Sequence, residues 1–134
     1  MIVKNKISEL KKIFSELEKI CTEHGFSEEL YGNLCVCMDE VISNIIKFAW
    51  DEDEEHNVEI LFDYREQEKK FTITLIDDGK PFNPLEAENP DLDLDMLERE
   101  IGGLGIFIVT NLMSSVEYSR LESKNKLEMT KEID

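Results

Sequence analysis

The first part of the chain contains a stretch in which apolar residues recur every three or four positions. Within residues 5–24 this repeat is formed by Ile7, Leu10, Phe14, Leu17 and Cys21. The spacing predicts an amphipathic helix, which we expect to end at Gly25. Ser27, followed by two glutamates, predicts the start of a second helix, because its side chain can accept a hydrogen bond from the first turn.

The second helix is predicted from about residue 28 to residue 50, and it carries two parallel stripes. The core stripe consists of Leu34, Met38, Val41, Ile45 and Phe48, and the stripe beside it consists of Asn33, Cys37, Glu40, Asn44 and Lys47. Steps of three and four residues return to the same helix face. Glu40, Asn44 and Lys47 therefore form a polar line along an otherwise apolar helix.

Alternating apolar and polar residues then predict β-strands. Residues 58–63 and 71–76 alternate in this way around a polar turn at 65–68, which indicates an antiparallel hairpin. After an irregular stretch, an apolar helix is predicted at 106–113. Two closing strands follow it, joined by a turn at 122–125.

This order of elements predicts the fold class, a two-layer α+β sandwich in which helices cover one face of a mostly antiparallel sheet. Residues 1–3 are a candidate for a short edge strand. A length of 134 residues suits one domain, so we expect a single domain over residues 1–134.

The composition excludes several classes of function. The formal net charge of −16 opposes binding to nucleic acid and to anionic membranes, since both carry dense negative charge. The sequence has no apolar run long enough to span a membrane and no secretion signal, so we expect a cytoplasmic protein. Three cysteines, Cys21, Cys35 and Cys37, are predicted to be small buried apolar residues rather than disulfide or metal partners.

Three stretches carry candidate chemistry, and the first is the pair Glu40 and Asn44. One turn apart on a helix, they point the same way. A carboxylate can accept the proton of an attacking hydroxyl, and an amide oxygen is a suitable ligand for Mg²⁺. Taken alone, the pair is better explained by a polar helix face.

The second stretch begins at Asp77, directly after the strand at 71–76, and turns sharply at Gly79. A buried aspartate can accept a hydrogen bond from an exocyclic amino group such as adenine N6. A glycine beside it lets the backbone approach a flat base. An ordinary Asp-Gly turn is the simpler explanation when this stretch is taken alone.

The third stretch precedes the helix at 106–113 and reads Gly102, Gly103, Leu104, Gly105. Backbone amides exposed by glycines, together with the N-terminus of a helix, favour phosphate binding. A flexible hinge before a packed helix is the alternative.

Together, the order and spacing of the three stretches resemble the nucleotide pocket of the ATPase superfamily that includes gyrase B, Hsp90, histidine kinases and MutL. Within it the likeness is greatest to the anti-sigma-factor serine/threonine kinases. Residues 40–50 resemble their E-A-x-x-N-A-x-x-H-A-Y motif, residues 77–84 their D-x-G-x-P-F-D-P motif, and residues 102–109 their second glycine motif. The resemblance covers about residues 30–131 and implies the Bergerat-type ATP-binding form of the α+β sandwich.

The resemblance also implies roles for the matching residues. Glu40 would be the general base that activates a serine hydroxyl, Asn44 would ligate Mg²⁺, and Asp77 would hold adenine. The other residues assigned to the nucleotide are Gly79, Pro81, Gly102, Gly103, Leu104 and Gly105. Residues 83–101 would form a lid, and Lys47 is either a phosphate contact or a plain surface lysine.

The implied activity is transfer of the γ-phosphate from ATP, with Mg²⁺, to a serine of a small antagonist protein. Sequestration of a sigma factor would accompany it, and a homodimer is open because related domains often dimerise. The alternative is a nucleotide-dependent protein-binding switch without kinase activity.

The chain departs from the family pattern at three places. Phe48 stands where the family often has His, Asn83 where it often has Asp, and Asn125-Lys126 where it has Gly-Thr. The last departure predicts one hydrogen bond fewer around adenine, worth about 1 kcal/mol.

Overall fold

The computed structural model describes residues 1–86 and 103–134. The described elements, in chain order, are β1 (Ile2–Lys4), a 3-10 turn (Ile7–Glu9), α1 (Leu10–His24), α2 (Glu28–Phe48), β2 (Asn57–Arg65), β3 (Lys70–Asp77), a second 3-10 turn (Pro84–Glu86), α3 (Gly103–Leu112), β4 (Ser115–Leu121) and β5 (Lys124–Glu132). Most of the predicted lid at 83–101 and Gly102 lie outside the described residues.

The two predicted N-terminal helices are present, with one correction at the first of them. Ile7 lies in a 3-10 turn and is 54% exposed, so the helix and its buried stripe begin only at Leu10. Gly25 ends α1 with a φ of 68°, a left-handed conformation that glycine adopts without strain. At the start of α2 the Ser27 hydroxyl oxygen accepts a hydrogen bond of 3.1 Å from the backbone N–H of Leu30.

The five strands form one antiparallel sheet in the order β1-β2-β3-β5-β4. Along β2, Val58 and Ile60 are buried while Asn57 and Glu59 are exposed, so only one face of the strand joins the core. The core combines that face with the buried sides of α1, α2 and α3. The predicted α+β sandwich and its short edge strand are therefore confirmed.

The hairpin between β4 and β5 is tighter than predicted. Glu122 and Ser123 form its turn, with φ values of 49° and 66°, the positive values that a two-residue hairpin turn requires. Pairing resumes at Lys124, so Asn125 is already a strand residue, opposite Arg120 on one side and Asp77 on the other. The predicted turn at 122–125 was thus two residues too long.

The three cysteines are free thiols, and Cys21 and Cys37 are buried as expected, whereas Cys35 is half-buried. Burial raises the pKa of the Cys37 thiol to about 11, which keeps it protonated at neutral pH. Within residues 1–86 and 103–134, no helix combines the length and the apolar character needed to cross a membrane.

Candidate functional site

Helix α2 presents the predicted polar line at three different depths. Asn44 is buried, with 4% of its surface exposed, whereas Glu40 is half-buried and Lys47 is exposed. Lys47 also lies over the ring of Phe48, with its Nζ 5.1 Å from the ring centroid. Only the middle member of the line is therefore enclosed in the core.

Asn44 has a buried polar atom that lacks a hydrogen-bond partner. Among the described residues, its Nδ2 is the one buried side-chain nitrogen or oxygen without a partner. An unsatisfied buried amide costs about 1–3 kcal/mol, which few structural positions tolerate. Rotating the amide by 180° exchanges its nitrogen and its oxygen, and the oxygen is a ligand that suits Mg²⁺. Asn44 thus fits a metal-nucleotide ligand.

Glu40 lies directly against the first turn of α3. A Cβ atom added to Gly105 would overlap the Glu40 carboxylate and lie 2.7 Å from its Cδ. The structure places Gly103 and Gly105 inside this turn, whereas the sequence predicted a glycine loop before the helix. Because Gly105 has no side chain, the N-terminal end of α3 approaches the carboxylate closely.

The environment of Glu40 favours a proton acceptor. Burial raises the pKa of Glu40 above its usual value of 4.5, and the negative charge of Asp39 raises it further. No hydrogen bond or ion pair from the described part of the chain occupies its carboxylate. A carboxylate with a raised pKa and no partner is a stronger base than a solvated one.

Asp77 ends β3 as a buried carboxylate, with 5% of its surface exposed. Its Oδ1 accepts hydrogen bonds from the backbone N–H of Gly79 at 2.9 Å and from the side-chain amide of Asn125 at 3.0 Å. No residue in the described ranges donates to its Oδ2. Burial raises the pKa of Asp77, and the two hydrogen bonds offset only part of that rise.

Gly79 packs against the C-terminal end of α2. A Cβ atom on Gly79 would lie 2.5 Å from the carbonyl oxygen of Ala49 and 2.6 Å from its Cβ, so no other residue fits there without movement. The N–H of Lys80 donates to the same carbonyl at 2.8 Å. The carbonyl of Gly79 accepts from Arg120 at 2.7 Å. The turn after β3 is therefore held on both sides.

All three family departures have partners in the structure, including Asn83, whose Oδ1 accepts a hydrogen bond of 2.9 Å from the N–H of Leu85. Phe48, in the position of the family's His, stacks on Phe82 of the turn with 5.2 Å between ring centroids. Asn125 donates a hydrogen bond of 3.0 Å to Oδ1 of Asp77, the residue that the family resemblance assigns to adenine. Lys126, the residue aligned with that Thr, pairs with Glu128 at 3.8 Å, two residues further along β5.

The structure brings together some of the predicted site residues and leaves others outside its description. Helix α2 contacts both glycine stretches, through Glu40 with Gly105 and through Ala49 with Gly79. Pro81 is exposed within the turn. Gly102 lies outside the described residues, and of Gly103 and Leu104 only the helical backbone is described.

Sequence reasoning assigned none of these contacts to Ala49, Arg120 or Asn125. Ala49 left a signal as the alanine of the family's H-A-Y motif, and Asn125 left one because asparagine is disfavoured in strands. Arg120 left none, because its partner Gly79 is distant in sequence.

The comparisons with known proteins identify the family of the chain. The family model described as a histidine kinase-like ATPase domain matches residues 3–131. A serine/threonine-protein kinase BtrW of Bordetella bronchiseptica is 26% identical over 114 residues, which are 85% of this chain and 79% of that protein. A serine-protein kinase RsbW of Listeria innocua is 32% identical over 108 residues, which are 75% of this chain and 66% of that protein.

A solved structure shares the fold. The histidine kinase domain of a blue-light-activated histidine kinase from Erythrobacter litoralis superposes with a TM-score of 0.56 at 15% sequence identity. The match covers 94% of this chain and 60% of that one. This structure supports the fold, and the family model over residues 3–131 confirms the resemblance to the superfamily that the three motifs indicated.

Proposed function

Because the chain belongs to the family of histidine kinase-like ATPase domains, we propose that it is an ATP-dependent serine protein kinase of the anti-sigma type. It transfers the γ-phosphoryl group of ATP to a serine of a small antagonist protein, and it sequesters a sigma factor or a similar regulator. Its Bordetella and Listeria relatives are named as serine kinases, which supports the kinase part. The regulatory part and a homodimer rest on the motif resemblance, and a cytoplasmic location rests on the absence from the sequence of a membrane-spanning run and a secretion signal.

The observation that carries the proposal is the environment of Glu40. Its carboxylate is half-buried, has a raised pKa, and lies against Gly105 at the start of α3. Phosphoryl transfer needs an acceptor hydroxyl positioned beside a base and close to phosphate. The N-terminus of a helix attracts phosphate, so the base and the phosphate region lie next to each other here.

The transfer step divides between the residues of the site. The serine oxygen attacks the γ-phosphorus while its proton passes to the Glu40 carboxylate. The new oxygen–phosphorus bond forms as the bond to the β–γ bridging oxygen breaks, and ADP leaves with that electron pair. Asp77 and Gly79 orient the adenine end, with Pro81 beside them. Mg²⁺, held by Asn44, would neutralise phosphate charge.

The other assigned residues serve the phosphates in this proposal. The phosphates are assigned to the backbone amides of the glycine-rich stretch at 102–105, which explains the glycines without requiring a catalytic side chain. Lys47 lies at the exposed end of the polar line of α2, where a flexible cation would reach a phosphate only at the mouth of the site.

A nucleotide-dependent protein-binding switch without transfer is the second candidate. One observation favours it: the hydrogen bonds that build the turn around Asp77 do not involve Glu40. The adenine site around Asp77 would therefore persist without catalysis, and nucleotide binding would still organise the adjoining segments.

Calorimetric titration with Mg-ATP tests the pocket. We expect magnesium-dependent binding by the wild type, weak binding by Asp77→Asn, and binding that no longer responds to Mg²⁺ in Asn44→Ala. Absence of binding by the folded wild type up to millimolar ATP would contradict both nucleotide-based functions.

Glu40→Gln distinguishes the two candidates. In a kinase, this variant keeps Mg-ATP affinity but loses transfer by about 10²–10⁴-fold, since the amide cannot take the proton. The measurement is phosphoserine formed from γ-labelled ATP in a fraction of small proteins from the source cell. Equal labelling by wild type and Glu40→Gln would remove Glu40 from the mechanism, and regulation without labelling would favour the switch.

A further inference from the structure

The side chain of Asn125 is a hub of hydrogen bonds at the end of the sheet. It is 4% exposed and lies on β5. Its Nδ2 donates to Asp77 Oδ1 at 3.0 Å and to the carbonyl of Lys80 at 2.8 Å. Its Oδ1 accepts from the hydroxyl of Tyr118 at 2.5 Å, the Nη1 of Arg120 at 3.1 Å and the N–H of Phe82 at 3.3 Å.

The chemistry of these partners fixes the orientation of the amide. Both groups facing Nδ2 are acceptors, a carboxylate and a backbone carbonyl, and all three groups facing Oδ1 are donors. Rotating the amide by 180° would place its oxygen against the two acceptors and its NH₂ group against the donors. The network therefore specifies an amide at position 125, and neither a carboxylate nor a hydroxyl satisfies all of it.

The hub connects the beginning and the end of the turn that runs from residue 77 to residue 82. Asn125 bonds to Asp77 where the turn begins and to Lys80 and Phe82 where it ends. Arg120 adds a bond from the same network to the carbonyl of Gly79. The conformation of the turn is therefore set by β4 and β5, which lie more than thirty residues away in sequence.

The hub also determines which oxygen of Asp77 remains available. Oδ1 is occupied by Asn125 and by the N–H of Gly79, while no group in the described ranges donates to Oδ2. A carboxylate whose rotation is fixed in this way presents one oxygen to a ligand. An amino group is the natural partner of that oxygen, and a carbonyl group in the same place would be repelled.

We propose that Asn125 is the positioning residue for base recognition: it fixes Asp77 and the turn so that Asp77 Oδ2 meets the 6-amino group of adenine. This inference rests on the proposed function, because it assigns the base end of ATP to Asp77. It concerns a residue at which the chain departs from its family, so the role belongs to this network and not to the shared motif.

The discriminating substitution is Asn125→Asp. The aspartate retains an oxygen that accepts from Tyr118, Arg120 and Phe82. Its other oxygen replaces the NH₂ group that donated to Asp77 and Lys80, so two carboxylates then face each other. Asn125→Ala removes all five hydrogen bonds of the Asn125 side chain without adding charge, and it provides the test should Asn125→Asp fail to fold. Asn57→Asp is the matched control, because it makes the same chemical change on an exposed position of β2.

The experiment compares the affinities of Mg-ATP and Mg-ITP, which share ribose and phosphates but carry an amino and a carbonyl group, respectively, at purine position 6. We expect the wild type and Asn57→Asp to prefer ATP by roughly tenfold or more. In Asn125→Asp and Asn125→Ala the ratio should fall towards one. A general loosening of the fold would lower both affinities together and leave the ratio unchanged.

The outcomes separate the two proposals. Wild-type protein that binds ATP, with an undiminished ATP/ITP ratio in both folded Asn125 variants, would overturn the role of Asn125 and leave the proposed function standing. Wild-type protein that binds neither nucleotide would overturn both. A preference that is lost in the Asn125 variants and kept in Asn57→Asp would support the inference.

Discussion

At Gly105 the absence of a side chain affects chemistry more than folding. The atoms that an added Cβ would meet belong to the end of the Glu40 side chain, which can rotate away at little cost. Glycine inside a helix is otherwise unfavourable by about 0.5–1 kcal/mol relative to alanine. Glycine at position 105 therefore lowers the stability of α3 but leaves the Glu40 carboxylate in its observed position.

We expect Gly105→Ala to leave the free energy of unfolding unchanged or raise it by up to about 1 kcal/mol. Phosphoryl transfer should nevertheless fall by about 10²-fold, because the methyl group displaces the carboxylate from its position. Chemical denaturation and a transfer assay on the same preparation measure the two effects.

Gly32→Ala is the control for Gly105→Ala. Gly32 lies in α2, and a Cβ added there meets nothing within 4 Å. It should gain similar helix stability and keep full transfer. Equal transfer by Gly105→Ala and wild type would show that the Glu40 carboxylate is not needed at its observed position.

Asp77 also carries a stability cost. Burial raises its folded-state pKa above the ordinary value of 3.8. Such a group favours folding below its unfolded pKa, and this contribution is lost as the pH rises through the folded pKa, because the buried charge must then be accommodated. At neutral pH the ionised form of Asp77 therefore opposes folding.

We expect Asp77→Asn to melt at a higher temperature than the wild type at pH 7, while binding ATP more weakly. The difference in melting temperature should shrink as the pH falls and disappear below about pH 3.8, where Asp77 is protonated in both states. Asp53→Asn, at an exposed position, serves as the control and should show no such trend. A variant that melts below the wild type at pH 7 would reverse the assigned sign.

At the scale of elements, α2 is the support of the whole site. One face of this helix packs into the core, its middle presents Glu40 to α3, and its C-terminal end receives the turn after β3. The backbone hydrogen bond from Lys80 to the Ala49 carbonyl fixes that last contact. Movement of the helix would therefore displace both the Glu40 carboxylate and the turn from residue 77 to residue 82.

We expect Gly79→Ala to be destabilising by about 1–3 kcal/mol, because the new methyl group meets the backbone of Ala49, which cannot rotate away. ATP binding should weaken with it, since the turn has to move off the helix. Denaturation midpoints and Mg-ATP titrations provide the measurements. Unchanged stability of Gly79→Ala would mean that the turn and the end of α2 are not in contact in solution. The expected loss of stability differs from the mild effect expected for Gly105→Ala.

At the scale of the whole molecule, the sheet order creates the site. Strand β3 pairs with β5, and β5 pairs with β4, so Asp77, Asn125 and Arg120 become neighbours across three strands. The chain carries a formal net charge of −16, whereas the proposed ligand is itself an anion. In the proposed function, backbone amides, a helix N-terminus and Mg²⁺ would make phosphate binding compatible with that charge.

The sequence by itself determined the features that depend on neighbours in the chain. Period-3.6 and period-2 patterns located both long helices and the strands β2 to β5. The glycine at 25 and the serine at 27 marked the boundary between α1 and α2, because capping is a local interaction. The order and spacing of Glu40, Asn44, Asp77 and the glycines resembled the motifs of the ATPase superfamily, and the family model confirms that resemblance.

Only the tertiary structure decided what depends on distant partners. The need for glycine at position 79 comes from Ala49, and at position 105 it comes from Glu40, contacts that no local pattern encodes. The sequence placed Asn125 in a turn and predicted one hydrogen bond fewer around adenine. In the structure it lies in β5, and strand pairing places its amide beside Asp77. Strand register and side-chain packing arise from contacts between residues that are distant in sequence. A sequence pattern predicts that such strands and helices form, but it does not show which residues contact each other.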